Sequence, residues 1–415
     1  MLLYGDVEHD ARVRREASAL IAAGHDVIIA VLASSPGEAA RKLDGARVMP
    51  ISPSRPGTRP GQKSPFMSNS RIPLVGTLAR AVAGVRWLIG YVLTYLSWRR
   101  EAVRSLPPAD VWHGHDFVGL LAARSLRARH GGNLVYDSHE LFGSTVTAAR
   151  MPWPARKVLA AIEGRAARSA DVVITVNDAV AAELDRRFHV NSAVVMNCPP
   201  LRPLDGEPGV MRTTLGLGDR PIVLHHGVLQ LGRGIEQLIE ATALLPPDVA
   251  VVIFGYGDRY EIAAAAASTT LAGRMYVHPA IPVDELSSWV RDATIGVLPF
   301  QPATLNIMLS TPTKMFEYLE RGVPIVACDF PAIRRIVEDA DAGIVCDTTR
   351  PEAIAGAIEE LLSEPPARMA ARKASARKAA ESQYNWQAQA ATLVRLYSSL
   401  GVAGTVVGRD GKGAA

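Results

Sequence analysis

The sequence predicts an α/β protein with two parallel-sheet domains, on three observations. Short apolar, strand-like runs alternate with helical patterns from end to end, as in parallel sheets joined by right-handed crossovers. The chain has 415 residues, of which 48% are hydrophobic and 21% charged, enough for two well-filled cores. A Pro/Gly-rich stretch from Pro199 to Gly209 interrupts the alternation near the middle of the chain. We therefore expect two Rossmann-like domains joined at that stretch.

The elements follow in order along the chain. A short first strand is expected within residues 1–10. The first helix begins after Asp10, whose side chain suits a helix cap, and ends at Gly24. The later strands are predicted from apolar runs at Val27–Leu32, Ala109–Trp112, Leu134–Tyr136, Val172–Val176, Ile222–Leu224, Val249–Phe254, Met275–Val277, Ile295–Leu298, Pro324–Ala327 and Gly343–Cys346.

Charge and cysteine usage exclude several classes of protein. Residues 1–200 carry 25 Lys and Arg against 17 Asp and Glu, a balance of +8, so the remainder carries −4 of the overall +4. A basic half without an aromatic-laced basic motif indicates an anionic membrane surface or substrate rather than nucleic acid. The three cysteines lack metal-ligand spacing, and the N-terminus lacks the pattern of a secretory signal. We therefore expect a cytoplasmic protein, with peripheral binding to the inner face of the cell membrane.

The segment Leu74–Ser105 is apolar and flanked by arginines. Its uncharged core, Trp87–Trp98, is too short to cross a bilayer, which takes about 20 residues. Two interpretations stay open: an interfacial helix with its aromatic residues near lipid head groups, or a pair of core helices of the N-terminal domain. The preceding proline-rich stretch, Pro50–Pro65, is expected to be a mobile basic loop.

The segment Ser310–Ala327 predicts a helix that opens at a Ser/Thr/Pro cluster and leads into a strand. Unpaired N–H groups in the first turn and the helix dipole favour an anion, so Ser310 and Thr311 become candidate phosphate contacts, and Lys314 adds a point charge. Glu317, one turn later, is placed to accept hydrogen bonds from ribose hydroxyls. The pattern indicates a sugar-nucleotide site; the alternative is an ordinary crossover helix with both charged side chains in solvent.

This segment resembles the P-x-K-x-F-E-Y and G-x-P signature of glycosyltransferase family 4, through Pro312, Lys314, Phe316, Glu317, Tyr318, Gly322 and Pro324. The resemblance implies the GT-B fold, in which two Rossmann-like parallel-sheet domains face each other across a cleft. It implies an N-terminal acceptor-binding domain over residues 1–199, completed by a C-terminal helix at 385–400, and a nucleotide-sugar-binding domain over 205–384. Residues 401–415 are expected to be a disordered tail.

A glycine loop offers a second anion site on the donor side. Gly227 is followed by Arg233 and Gly234, which open a helix; glycines let the backbone approach a diphosphate, and a guanidinium can bridge two phosphate oxygens. Gly255, in another glycine pair at a strand end, is a weaker candidate. Ile281 lies in a loop that resembles the family's base-contacting loop.

The chain departs from the family pattern at two positions. Val228 stands where the commonest pattern has a phosphate-binding arginine, and Leu309 stands where many members have a glutamate. Asn306, in the loop expected over Gln301–Ser310, becomes the candidate contact to the sugar hydroxyls. The sugar and the base therefore cannot be carried over from the family.

Two strings with polar residues lie at the ends of predicted strands in the N-terminal half, HGHDFVGL from His113 and VYDSHELF from Val135. They resemble the family's acceptor-side loops, in which a histidine approaches the donor sugar. His115 is the first candidate for that catalytic role and His139 the second, with Glu140 beside it and Asp116 as a helix cap. A hydrogen-bonded, partly buried histidine is the structural alternative for each.

Arg12 lies in the first turn of a helix, where its charge opposes the helix dipole. This placement makes it a candidate for the acceptor side, as a partner of an anionic ligand or of Asp10; a solvated helix face is the alternative.

The function expected from these features is the transfer of a sugar from a nucleotide-diphosphate-sugar to a lipid-linked or cell-envelope glycan precursor. The transfer is expected to retain the anomeric configuration and to need no metal. The nucleotide-diphosphate-sugar is a co-substrate, and no cofactor is expected. Arg233 and Lys314 would stabilise the charge of the leaving nucleotide diphosphate. Two alternatives remain: a sugar-nucleotide epimerase of the same architecture, and a non-catalytic partner of another transferase that binds nucleotide sugar or membrane.

Overall fold

The computed structural model describes residues 1–8, 10–54, 58, 74–144, 151, 153–204 and 209–402, with backbone alone for 74–83 and 85. Most of the predicted loop at 50–65 and nearly all of the predicted tail at 401–415 lie outside these residues. The chain divides into two compact units. The first comprises Met1–Thr175, Ala181–Val195 and the chain from Ala390 onward, and the second comprises Val176–Val180 and Met196–Gln389.

The first half of the chain contains eight strands and five helices within the described residues. In order they are β1 (Leu2–Leu3), α1 (Ala11–Ala22), β2 (Ile28–Leu32), β3 (Arg41–Leu43), β4 (Ala46–Ile51), α2 (Leu74–Ser105), β5 (Val111–His115), α3 (Asp116–His130), β6 (Asn133–Ser138), α4 (Trp153–Ala167), β7 (Val172–Thr175), α5 (Asp178–Phe188) and β8 (Ser192–Val194). The strands form one sheet in the order β3-β4-β2-β1-β5-β6-β7-β8, in which only β3 is antiparallel to its neighbour.

The second half forms a six-stranded sheet in the order β11-β10-β9-β12-β13-β14, with every pairing parallel. Its elements in order are α6 (Val210–Leu215), β9 (Ile222–Val228), α7 (Ile235–Leu244), β10 (Ala250–Tyr256), α8 (Tyr260–Ser268), β11 (Met275–Pro279), α9 (Leu286–Arg291), β12 (Ile295–Leu298), α10 (Leu305–Leu309), α11 (Thr313–Glu320), β13 (Ile325–Cys328), α12 (Pro331–Asp339), β14 (Gly343–Cys346), α13 (Pro351–Leu362), α14 (Pro366–Ser382) and α15 (Trp386–Ser399).

Two parallel-sheet α/β units confirm the predicted fold class, and Asp10 caps α1 as expected by accepting a hydrogen bond from the Val13 N–H at 3.1 Å. The missed strands β3 and β4 have little apolar alternation, because they form the outer hairpin of the sheet. The strands before the histidines run further than their apolar residues suggested. His113 and His115 lie within β5, and Asp137 and Ser138 lie within β6.

Leu74–Ser105 is one continuous helix, so the predicted pair of helices is wrong. Trp98 is fully buried and its indole Nε1 donates to the Val31 carbonyl, while the Tyr95 hydroxyl donates to the Val118 carbonyl. Among the α2 side chains that the structure describes, the exposed large apolar residues are aliphatic instead: Leu88, Ile89, Val92 and Leu93. Among the described residues, none of the helices combines the length and apolar character needed to cross a membrane.

Candidate functional site

The N-terminus of α11 is built as the sequence predicts, with Pro312 at the cap position and Thr313 as the first helical residue. Asparagine amides secure the turn before it: Asn177 donates to the Thr311 hydroxyl at 3.2 Å and to the Leu309 carbonyl at 2.9 Å. Asn197 donates to the Thr313 hydroxyl at 3.3 Å. The first turn is therefore held in place while its backbone N–H groups remain at the positive end of the helix.

Lys314 is buried, with 9% of the residue exposed. Its ammonium donates to His225 Nε2 at 3.3 Å. Burial, assisted by the charge of Arg233 and opposed by Glu317, lowers the Lys314 pKa to about 7. Gly227 leaves room for this side chain, because a Cβ there would lie 3.4 Å from Lys314 Nζ and the backbone φ is +102°. The lysine is thus placed to take up a proton when an anion arrives.

Arg233 lies in the loop before α7, with its guanidinium carbon 4.6 Å from the centre of the Phe300 ring. Lys314 Nζ lies 5.6 Å from the centre of the same ring, so both cations lie near one aromatic side chain. Gly234 is required by close packing, since a Cβ there would lie 1.7 Å from the Pro299 carbonyl oxygen. The glycine loop therefore brings Arg233 and Lys314 to a common position.

Glu317 lies one turn after Lys314, and its carboxylate is 3.5 Å from His226 Nε2. His226 stacks on Phe254. Burial, together with the charge of Lys314, holds the pKa of His226 well below its usual range. The imidazole is consequently neutral.

The other residues predicted to bind the donor are Gly255, Asn306 and Ile281. Gly255 permits close strand packing, because a Cβ there would lie 1.8 Å from the Gly227 carbonyl oxygen. Asn306 belongs to α10, a short helix capped by Thr304, so the loop expected at 301–310 is in part helical. Ile281 is half-buried in the segment after β11.

In the first unit, Arg12 is buried and binds Asp137 through two parallel hydrogen bonds, Nε to Oδ2 at 2.8 Å and Nη2 to Oδ1 at 2.7 Å. Its Nη1 donates to the Val195 carbonyl at 2.6 Å, and its Nε lies 3.0 Å from Glu16. The alternative of a solvated helix face is therefore wrong for Arg12. Contact of Arg12 with an acceptor stays a prediction.

Asp137 also binds both candidate histidines, His115 Nδ1 at 3.2 Å and His139 Nε2 at 2.9 Å. Burial opposes its ionisation, but Arg12 and His139 outweigh burial and hold the pKa of Asp137 well below its usual range. His115 is fully buried, whereas 19% of the His139 side chain is exposed. His139 is therefore the member of this network that faces solvent.

His139 is held between two carboxylates. Burial lowers its pKa, but Asp116 and Asp137 more than reverse this effect and raise it to about 10. Asp116 accepts from the His139 backbone N–H at 3.1 Å. It is the first residue of α3 and has a φ of +56°, so it is not the predicted cap; His115 takes that position without a capping side-chain bond. Glu140, the next residue, is exposed.

Sequence reasoning missed Glu16 and Tyr397 as parts of this network. Tyr397 of α15 contacts His113 through a 2.7 Å hydrogen bond, and His113 Nε2 lies 3.7 Å from Glu16. The position of Glu16 one turn after Arg12 on the buried face of α1 was the available signal.

Four residues in the described part of the chain, Glu16, His113, His115 and Asp137, each offer one potential metal ligand, and these atoms lie within 4.8 Å of one another. Arg12 already supplies positive charge to both carboxylates at hydrogen-bonding distance. A metal ion would have to share these oxygens with a guanidinium, so we assign the cluster to a charge network.

Two family models match this chain. Glycosyl transferase 4-like domain matches residues 9–200, and Glycosyl transferases group 1 matches residues 211–378. A D-inositol 3-phosphate glycosyltransferase of Xylanimonas cellulosilytica is 27% identical over 351 residues, which cover 80% of this chain and 79% of the relative. A GDP-mannose-dependent alpha-(1-6)-phosphatidylinositol monomannoside mannosyltransferase of Mycolicibacterium smegmatis is 32% identical over 195 residues, covering 45% of this chain and 50% of the relative.

Solved structures share the fold. Anabaena HepE in complex with UDP superposes with a TM-score of 0.69 at 14% identity, covering 96% of this chain and 99% of that one. Sucrose-phosphate synthase from Thermosynechococcus elongatus gives a TM-score of 0.68 at 20% identity, with coverage of 94% and 92%. With both sheets parallel apart from β3, and both family models matched in sequence order, this chain belongs to the group 1 glycosyltransferases of family 4, has the GT-B fold and is a glycosyltransferase.

Proposed function

We propose that the protein is a retaining, metal-independent glycosyltransferase that moves a sugar from a nucleotide-diphosphate-sugar to a lipid-linked or cell-envelope glycan precursor. The observation that carries the proposal is the arrangement at the N-terminus of α11. There, Lys314 and Arg233 share the Phe300 ring, and Glu317 follows one turn later. Two cations, a helix N-terminus and a carboxylate match a diphosphate attached to a ribose.

Departure of a nucleotide diphosphate develops negative charge on its oxygens. Lys314, Arg233 and the first turn of α11 are preorganised to stabilise this charge, which is the contribution that lowers the barrier. These cations supply the charge for which other transferases use a metal ion, and this supports metal-independent transfer. Retention follows from the family resemblance, and we name no protein nucleophile.

On the acceptor side, His139 is the candidate that can meet a hydroxyl, since part of its side chain is exposed. His115 would act through Asp137, which binds both imidazoles. Arg12 keeps Asp137 ionised and so fixes the orientation of the pair. We therefore assign Arg12, His115, His139 and Glu140 together to the proposed acceptor side.

Two observations support a lipid-linked acceptor and peripheral binding to the inner face of the cell membrane. The Mycolicibacterium relative is named for a phosphatidylinositol monomannoside. The basic first half of this chain also presents exposed aliphatic residues on α2 and exposed Trp153, Val158 and Ile162 on α4, with Lys157 over the Trp153 ring.

The test begins with thermal shift against UDP, GDP, ADP and dTDP, because a ligand that binds only the folded state raises stability by about 2.7 kcal/mol at about 100 times its dissociation constant. The sugar nucleotides of the best binder are then offered with phosphatidylinositol and inositol-phosphate acceptors, with and without EDTA. We expect transfer that survives EDTA, and a product with the anomeric configuration of the donor by NMR. Loss of transfer with EDTA or an inverted product would overturn those parts of the proposal, and the absence of a stabilising nucleotide would overturn the donor site.

A further inference from the structure

The ammonium group of Lys314 rests against two residues that were not predicted to belong to the site. His225, on β9, lies 3.3 Å from Lys314 Nζ, and Phe300, just after β12, has its ring centre 5.6 Å away. Both are fully buried. We call this pair, His225 and Phe300, the ammonium cradle.

The tautomer of His225 follows from its second contact. His225 Nδ1 lies 3.0 Å from the Val297 carbonyl oxygen, which can only accept, so Nδ1 carries the proton. Burial and the charge of Lys314 hold the His225 pKa well below its usual range, which keeps the ring neutral. His225 Nε2 is therefore a lone pair directed at Lys314, and the imidazole acts as a fixed acceptor.

Phe300 acts on both cations. Its ring lies 4.6 Å from the Arg233 guanidinium carbon as well as near Lys314 Nζ. An aromatic face attracts positive charge, so the ring offsets part of the repulsion between two like charges held together. Its backbone is anchored as well, since the Thr348 hydroxyl donates to the Phe300 carbonyl at 2.7 Å.

We propose that His225 and Phe300 are positioning residues that hold Lys314 and Arg233 in the arrangement that receives the donor diphosphate. The proposal rests on the proposed function for the identity of the ligand. It does not rest on that function for the cradle itself, which consists of contacts within the protein. Neither residue touches the reacting atoms; each acts through a cation.

A ligand-free experiment tests the cradle directly. The free energy of unfolding is measured by urea titration from about pH 5 to about pH 9 for the wild type and Lys314→Met, and the difference between them reports protonation of Lys314. The other titratable or charged groups that face Lys314 are His226 on β9, Arg233 before α7 and Glu317 on its own helix; all are unchanged within each pair. The same comparison, with and without Lys314→Met, is then made in proteins that carry His225→Asn or Phe300→Leu.

We expect the inflection in this difference to move to lower pH in both backgrounds, by about one pH unit or a tenfold loss of proton affinity, because the protonated lysine loses its acceptor or its aromatic face. His225→Gln, which restores an acceptor at the ε position, should recover most of the shift. Phe330→Leu, at another buried phenylalanine of the same unit, is the control for lost aromatic volume and should leave the inflection in place. An unchanged inflection in His225→Asn and Phe300→Leu would overturn the cradle.

Calorimetry then tests whether the cradle contributes to nucleotide binding. Titration with UDP and GDP should show about tenfold weaker binding in His225→Asn and Phe300→Leu, with recovery in His225→Gln. Turnover of a sugar nucleotide should fall together with affinity, since the cations serve both bound donor and leaving group. If the wild type binds neither nucleotide, the proposed function fails while the stability measurements still decide the cradle. If the wild type binds and the variants bind equally well, the positioning role fails alone.

Discussion

Arg12 and Asp137 form a buried pair with two parallel hydrogen bonds, 125 residues apart in the chain. Asp137 in turn binds His115 and His139, so one guanidinium orients both histidines proposed for the acceptor side. Without Arg12, the buried carboxylate of Asp137 would lose its nearest cation.

We therefore expect Arg12→Met to destabilise the protein by about 3–5 kcal/mol, the usual cost of leaving a buried ionic partner unpaired. Arg14→Met, on the same helix, removes an exposed pair with Asp44 and should cost no more than about 1 kcal/mol. Urea denaturation of the two variants measures the difference. Equal losses would mean that the buried pair contributes no more than the exposed one.

Protonation of His139 should persist far above neutral pH. Its pKa is raised to about 10, so the folded state binds the proton more tightly than the unfolded state. The resulting stability is fully present below the unfolded pKa of about 6.5 and is lost as the pH rises through about 10. NMR titration of the imidazole, assigned with His139→Gln, checks this; a midpoint near 6.5 would contradict it.

Lys314 should oppose stability while serving ligand binding. Because its pKa is lowered to about 7, the unfolded state binds more protons between about pH 7 and about pH 10.4, and stability rises with pH across that window. We expect Lys314→Met to stabilise the protein at pH 7 by an amount on the order of a few kcal/mol, and to abolish nucleotide binding. Thermal unfolding and calorimetry measure the two effects; a destabilised variant would contradict the burial cost assigned to the lysine.

Glu317→Ala should weaken nucleotide diphosphate binding without changing the fold. Each charge-assisted hydrogen bond from the carboxylate to ribose would contribute about 1.5–3 kcal/mol. Glu360→Ala, an exposed position on α13, serves as the control. Wild-type affinity in a calorimetric titration of Glu317→Ala would remove this carboxylate from the ribose contact.

Binding to anionic vesicles should depend on the exposed aliphatic row of α2. We expect the wild type to co-sediment with anionic liposomes at low salt, with basic residues near the surface contributing about 1 kcal/mol each, and to dissociate as the Debye length falls from about 10 Å at 0.1 M to about 3 Å at 1 M salt. Ile89→Ser with Leu93→Ser should reduce the bound fraction.

The matched control for vesicle binding is Leu244→Ser with Val283→Ser, two exposed apolar positions of the second unit. Its bound fraction should equal that of the wild type. A wild type that stays in the supernatant at low salt would make the α2 surface a protein interface and favour a soluble acceptor.

Much of the fold and of the donor side could be predicted because the signals are local. Apolar runs of strand length, an Asp cap before α1 and a Pro-x-Lys turn before α11 each depend on residues within one or two turns of one another. Lys314 and Glu317 share a helix, so their spacing alone places them together. Arg233 could be proposed for the same reason, since glycines flank it before a helix.

The partners of these residues were decided by the tertiary structure. His225 reaches Lys314 across 89 residues, and Tyr397 reaches His113 across 284, so no local pattern relates them. The sequence likewise did not determine which side of α2 is buried, because its aromatic and aliphatic residues are both apolar. Packing against β2 and α3 buries Trp98 and Tyr95. The sequence by itself determined most of the helices and strands and indicated where an anion would bind. The assembled sheets determined which buried charge meets which partner, because a charge is tolerated inside a protein only where folding brings a partner to it.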